Sequence, residues 1–277
     1  MNFFNIINQL SEVDPDALGR LDTRRSVFSS LTTVSKRVAL ASTPALLAAF
    51  FNKAYAGTSA GDPKEVFNYA LTLEYLEEDF YKKMVASAFF ATASAADQAA
   101  IRQILKHEAA HVSLLKTVIS GIGGTPIAPV TFKAATFATL TSFAAQLQVA
   151  QLLEDTGVRA YKGRAGDLQG LADVTITGVG TINPLQAALQ IHSVEARHAA
   201  HVRYMRGQTP WINGNGDLDQ QEHYKGAIPE STTTQSGVDI TKLGSGYTAT
   251  EAQASFDEIL TVAEVTAPSR AGGLIGA

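Results

Sequence analysis

The sequence predicts an all-α fold, a four-helix bundle followed by an irregular C-terminal tail. Three observations lead there. Four segments repeat apolar residues at helical spacing. No stretch alternates for long enough to build a sheet. Two of the helical segments carry the same Glu-x-x-His pair, Glu108/His111 and Glu195/His198.

The first helix is expected over residues 63–92. Asp62 is placed to cap it, Pro63 suits the first turn, and Glu65 sits at the positive end of the helix dipole. The second is expected over 94–120, with Ser94 as cap and Asp97 three residues on; the glycines of "SGIGG" suit its C-terminus. The Pro- and Gly-rich "GTPIAPVTF" then fits a long crossover between helices two and three better than a tight hairpin. The third helix is expected over 138–162. "GRAGDLQGLADVTITGVG" reads as an irregular link. The fourth helix is expected over 184–206, with Asn183 as N-cap and Pro184 at its first position. Beyond Gly207 turn formers dominate, so residues 207–277 read as an extended tail lying on the bundle, with short helical pieces near 251–259 and 262–265.

Composition narrows the chemistry. In 277 residues, 45% are apolar and 17% charged, which suits a folded core and not a disordered chain. A net charge of −4 argues against a sequence-independent hold on nucleic acid, which needs a basic face. With no cysteine, disulfides, thiolate metal sites, iron–sulfur clusters and thiol nucleophiles are excluded. Any metal would be held by oxygen and imidazole nitrogen, donors that suit iron, manganese or zinc.

Residues 1–56 read as an export leader. Arg24 and Arg25 form a pair, Lys36 and Arg37 add charge, and an apolar run from Val38 to Phe51 follows, broken by Ser42, Thr43 and Pro44. That run is too short and too weakly apolar for a comfortable membrane span, so attachment to a membrane would come only through an uncleaved leader. Ala54-Tyr55-Ala56 is a small-x-small pattern, and cleavage is expected after Ala56. The layout resembles twin-arginine (Tat) export signals, although Phe28 stands one place later than the usual apolar position and the stretch before Arg24 is long. The resemblance implies a periplasmic or cell-envelope destination. The mature bundle would then occupy residues 57–206.

Each Glu-x-x-His pair has a partner upstream. Glu74 lies 34 residues before Glu108, and Glu154 lies 41 before Glu195. Residues three apart share a helix face, so each pair can address one ion, with a Glu from each remaining helix closing the site. Glu74, Glu108, His111, Glu154, Glu195 and His198 thus form a candidate set for two metal ions, with Glu108 and Glu195 able to bridge. Four carboxylates balance the charge of two divalent cations.

Tyr81 and Tyr161 each stand seven residues after their Glu, as an internal duplication of a helix pair would place them. Their hydroxyls are expected to bond ligand carboxylates. The duplication also selects Glu74 over its acidic neighbours: the counterparts of Glu77 and Glu78 are Gly157 and Val158. Glu78, one turn beyond Glu74, is a candidate for a position behind the ligands or for an alternative ligand, and His192, one turn before Glu195, for an outer partner or, more simply, a helix-surface histidine. Glu77 and Asp79 read as a solvated face, and His107 as facing away from the site.

From about 62 to 206 the chain resembles the ferritin-like superfamily. "NYALTLEYLEEDFY" and "EARHAAHVRYMRG" are similar to its branch of desiccation-related and stress-response proteins, and the ligand spacing is similar to that of rubrerythrins. The resemblance implies a dinuclear iron or manganese centre, iron preferred, that reacts with oxygen or peroxide as a ferroxidase- or peroxidase-like oxidoreductase; the sequence leaves open whether the chain forms a homo-oligomer. It does not single out catalytic residues. The competing expectation is a non-enzymatic stress or envelope protein that uses the bundle as a structural or binding module.

Overall fold

The computed structural model describes residues 62–214, 221–244 and 246–276. The twin-arginine leader lies outside the described residues. Four long helices dominate: α1 (Pro63–Ala86), α2 (Ala95–Gly121), α3 (Phe143–Arg164) and α4 (Pro184–Met205). Their starts are set locally. The side chains of Asp62, Ser94, Ser142 and Asn183 each accept a hydrogen bond from a backbone N–H of the first turn, and Pro63 and Pro184 follow their caps. Among the described residues no helix is long and apolar enough to cross a membrane.

Two boundaries differ from expectation. α1 stops at Ala86, because Ser87 turns extended and its hydroxyl accepts from the Phe90 N–H; a separate 3₁₀ turn covers Phe90–Thr92. α3 begins at its Ser142 cap, and the turn Ala134–Ala138 before it is a short helix of its own.

The topology follows from which side chains meet. Along α1 and α3, Ser87 meets Gln146, Tyr81 meets Glu154 and Glu74 meets Tyr161, so the two helices run antiparallel. α1 packs on α2 and α3 on α4, with α1–α3 and α2–α4 as the other neighbouring pairs. Helices α2 and α3 are therefore diagonal, and the chain between them must travel the length of the bundle. Its path is pinned to α1 at two levels. Asn68 holds Thr125 O and the Ile127 N–H, and Asp79 accepts from the Phe132 N–H at 2.7 Å. Those levels are eleven residues apart, or roughly 16 Å of helix. Asp79 is thus an anchor for the crossover and not part of a solvated face.

The 165–183 link is not wholly irregular. Val174–Ile176 pairs antiparallel with Gly180–Ile182 in a small hairpin that turns at Gly178, where φ is 77°. Further two-residue ladders join Thr131–Phe132 to Ile275–Gly276 and Thr234–Gln235 to Val238–Asp239. Beyond α4, helical turns cover Ala249–Gln253 and Val262–Val265, the first shorter than expected. Thr248 and Thr261 start them with capping boxes to Glu251 and Glu264.

The C-terminal segment is fastened to α3. Arg159 is 1% exposed, and its guanidinium pairs with Glu230 at 2.8 Å and donates to the carbonyls of His223, Ile228, Glu258 and Ile259. The Leu260 N–H bonds the Arg159 carbonyl, and a β-carbon on Gly163 would lie 2.2 Å from Leu260 O. Only glycine permits that approach. Leu260, Val265 and Ala271 join Phe80, Met84 and Leu153 in one apolar cluster. A second cluster gathers Phe67, Leu71, Leu115, Val118, Tyr161 and Ile191 toward the opposite end of the bundle. The polar residues of the candidate site lie between these two apolar layers.

Candidate metal centre

Each of the four helices delivers carboxylates to the same level. Glu74 and Glu77 come from α1, Glu108 from α2, Glu154 from α3 and Glu195 from α4; all five are buried, with Glu74, Glu108, Glu154 and Glu195 at 0% exposure. His111 and His198 stand one turn beyond Glu108 and Glu195. The side chains form two quartets, Glu74–Glu108–His111–Glu195 and Glu108–Glu154–Glu195–His198, in each of which one donor atom per residue lies within 4.8 Å of the others. Glu108 and Glu195 belong to both. All six residues selected from the sequence are therefore brought together.

Both imidazoles turn Nδ1 inward. His111 Nδ1 is 3.1 Å from Glu74 Oε2, Glu108 Oε2 and Glu195 Oε1. His198 Nδ1 is 2.9 Å from Glu108 Oε1 and 3.3 Å from Glu154 Oε2, close enough for charge attraction but too oblique for a hydrogen bond. Five buried atoms of this cluster have no hydrogen-bond partner: Glu108 Oε1, Glu154 Oε2, both oxygens of Glu195 and His198 Nδ1. Buried polar atoms are rarely left unpaired, and orphaned donor atoms gathered at one point call for a cation. Hard oxygen donors with one imidazole per quartet fit iron or manganese.

The tyrosines cross between the halves. Tyr81 of α1 donates to Glu154 Oε1 on α3, and Tyr161 of α3 donates to Glu74 Oε1 on α1. Each outer carboxylate is thus held by one oxygen from behind and offers its Oε2 to the centre. Burial, and then the charge of the carboxylate it bonds, pushes each phenol well above its ordinary range, so both stay protonated donors.

Electrostatics in the metal-free site follow from crowding. Burial raises Glu74 to about 7, against the pull of His111. Burial and the neighbouring carboxylates push Glu77 and Glu195 well above the usual range. Burial acts the same way on Glu108, but the two imidazoles outweigh it and leave Glu108 at about 2. Burial opposes charge on the histidines, yet the surrounding carboxylates raise His111 to about 12 and His198 to about 11. The metal-free cluster therefore holds its protons on both imidazoles and on some of the carboxylates.

Several expectations for neighbouring residues need correction. Glu77 is 2% exposed and is no solvated face: a β-carbon at Gly157 would lie 3.3 Å from Glu77 Oε1 and 3.4 Å from Glu195 Oε2. The missing side chain on α3 makes the room that the extra carboxylate of α1 fills. Glu78 does not stand behind the ligands but pairs with Lys82 at 2.8 Å on the surface. His192 bonds the Val158 carbonyl at 3.1 Å instead of a ligand side chain, because one turn before Glu195 the α4 face has rotated toward α3 backbone. His107, expected to face away, lies against His198: Nδ1 to Nε2 is 2.9 Å, and the rings stack at 7° between planes. Because α2 and α4 are neighbours, a residue off the ligand stripe of α2 still meets α4.

Comparison with known proteins gives the class. The ferritin-like domain family matches residues 61–208, more than half the chain and all four long helices, and the chain belongs to that family. No curated protein matches the sequence.

Proposed function

We propose that this chain is an exported ferritin-like protein whose bundle holds two iron or manganese ions and serves oxidative-stress chemistry with oxygen or peroxide, in the manner of a ferroxidase. The observation that supports it most is the pair of interlocking quartets, with five orphaned donor atoms at their meeting point. Glu74 and His111 would serve one ion, Glu154 and His198 the other, and Glu108 and Glu195 both. Bound ions would supply Lewis acidity and one-electron redox chemistry.

The chain's own residues supply the rest. Tyr81 and Tyr161 orient the two outer carboxylates, a role that outer partners commonly play for metal ligands. The apolar layers on either side limit water. Protons displaced on loading leave from His111, His198 and the raised carboxylates.

The test is anaerobic loading of metal-depleted protein with ferrous iron, followed by elemental analysis and admission of air. Two ions per chain, near-ultraviolet absorption and oxygen uptake are expected. Binding without oxygen uptake removes the ferroxidase reading. No binding by folded protein favours a non-enzymatic envelope protein, a reading the His111 and His198 ion pairs make tenable because they already close the core without an ion. Export is part of the proposal: replacing Arg24 and Arg25 by Lys should keep the protein in the cytoplasm, and the mature N-terminus should be Gly57. Intact Met1 on a protein of the envelope fraction would refute the cleavage.

A further inference from the structure

We infer that His107 is a positioning residue for His198, and that it makes the two metal sites unequal, with the His198 site the tighter. This rests on the metal-binding reading above. For His198 to hold an ion with Nδ1, the nitrogen turned to the quartet, that atom must offer a lone pair and Nε2 must carry the proton. A buried N–H needs an acceptor. The atom in reach is His107 Nδ1, 2.9 Å from His198 Nε2. His107 then carries its own proton on Nε2, which is 2.7 Å from the side-chain amide of Gln103. With the amide nitrogen of Gln103 toward His107, the chain of bonds runs the other way and puts the proton on His198 Nδ1. Turning the amide over leaves the heavy atoms in place and presents an oxygen acceptor. The relay Gln103–His107–His198 thus has two polarities, and only one suits a loaded site.

The other half has no such support. No hydrogen bond to His111 Nε2 occurs among the described residues. The position matching His107, immediately before the Glu of the second Glu-x-x-His pair, is Val194, which can accept nothing. The difference is therefore written into the two copies of the motif. The relay lines a cleft of about 350 Å³ between α2 and α4, together with Ile104, Val194 and His201.

Outer partners of metal-bound histidines are worth roughly 10–100-fold in affinity. The test is titration of metal-depleted, full-length protein with cobalt(II), followed by visible absorption and calorimetry, for wild type, His107→Leu and His107→Asn. Leucine keeps the packing and removes the acceptor; asparagine places an oxygen near the former Nδ1. Wild type should bind in two unequal steps. His107→Leu should weaken the tighter step by roughly 10–100-fold and leave the weaker one, and His107→Asn should restore it. In zinc-loaded wild type, nitrogen-15 imidazole spectra should show His198 protonated at Nε2, with slow exchange that His107→Leu abolishes. Retention of the unequal steps in folded His107→Leu, equal weakening of both, or failure of asparagine to restore overturns the inference. If His107→Leu does not fold, the zinc-loaded wild-type spectra decide: a slowly exchanging His198 Nε2 proton supports the role, and a rapidly exchanging one refutes it. Wild type that binds no cobalt refutes the metal-binding reading itself, before any substitution, and this inference falls with it.

Discussion

Removing or loading the metal at different pH values is the sharpest perturbation of this site. His111 and His198 are raised to about 12 and about 11, so at neutral pH the empty site carries a proton on each inward Nδ1. Glu74, at about 7, is half protonated there, and Glu195 stands well above the usual range. An ion must displace the protons from the atoms it uses. Loading both sites at pH 7 should therefore release more than two protons per chain, two from imidazole and the rest from the raised carboxylates. The product of the two binding constants should then rise more than about a hundredfold per pH unit near neutrality. The empty protein has the opposite trend. A group with a raised folded pKa contributes stability in full below its unfolded pKa and loses it as pH rises toward the folded value. For the histidines that window runs from about 6.5 to 11–12, and for Glu74 from about 4.5 to 7. At 1.36 kcal/mol per unit, moving from pH 6.5 to 8 removes on the order of 2 kcal/mol for each imidazole. The melting temperature of metal-free protein should fall between pH 6 and 8 while that of loaded protein holds or rises. Calorimetry in two buffers of different ionisation enthalpy counts the protons, and melting curves with and without manganese measure the gap. Release of fewer than one proton per chain, or a gap that narrows with pH, would refute the charge assignment of the core.

Other outcomes follow from single contacts. Gly157→Val should disrupt the centre, because even its β-carbon meets Glu77 and Glu195 at 3.3–3.4 Å; lost metal stoichiometry is expected, and native binding would show that Glu77 and Glu195 move freely. Glu230→Gln leaves the Arg159 charge buried without its partner and should cost about 3–5 kcal/mol, read in urea melts. Proteolysis should release the C-terminal segment of that variant first; uniform unfolding would contradict a local clamp. Tyr81→Phe leaves Glu154 Oε1 without its donor, and a loss of about 1–3 kcal/mol in the metal-free protein is expected.

Much of the site was legible because the buried cluster draws the same residue types from each helix pair at helical spacing. The order Glu, Glu-x-x-His, Glu, Glu-x-x-His and the two Glu-to-Tyr intervals of seven select residues that do converge. The crossover was legible from Pro and Gly between α2 and α3. The exchange of tyrosines between halves was not, since spacing within a helix cannot say which neighbouring helix a side chain meets. His107 was missed for the same reason. The small hairpin at Val174–Ile182 was hidden by glycines, which read first as loop.

Glu77 shows how a duplicated scaffold departs from symmetry. Comparison of the halves rejected Glu77 as a ligand because its counterpart is Gly157, yet that glycine is what admits the Glu77 side chain. The next positions diverge in a related way. Asp79 of α1 receives the Phe132 N–H of the crossover, while its counterpart, Arg159 of α3, receives the carbonyls of the C-terminal segment. Both positions point out of the bundle toward chain that must be fastened there, one presenting an acceptor to an N–H and the other a donor to C=O groups. An exposed arginine would be the ordinary reading of Arg159, and only the 223–260 segment laid over it makes it a core residue. The same covering argument explains why the segment after α4 has few apolar residues of its own. It contributes Leu260, Val265 and Ala271 to an existing cluster and is held further by the Arg159 guanidinium, by the Tyr224 hydroxyl on Asp155 and by the ladder of Ile275–Gly276 with Thr131–Phe132. The repeat therefore marks the ligands shared by both halves, and its violations mark where each half has been fitted to a different neighbour.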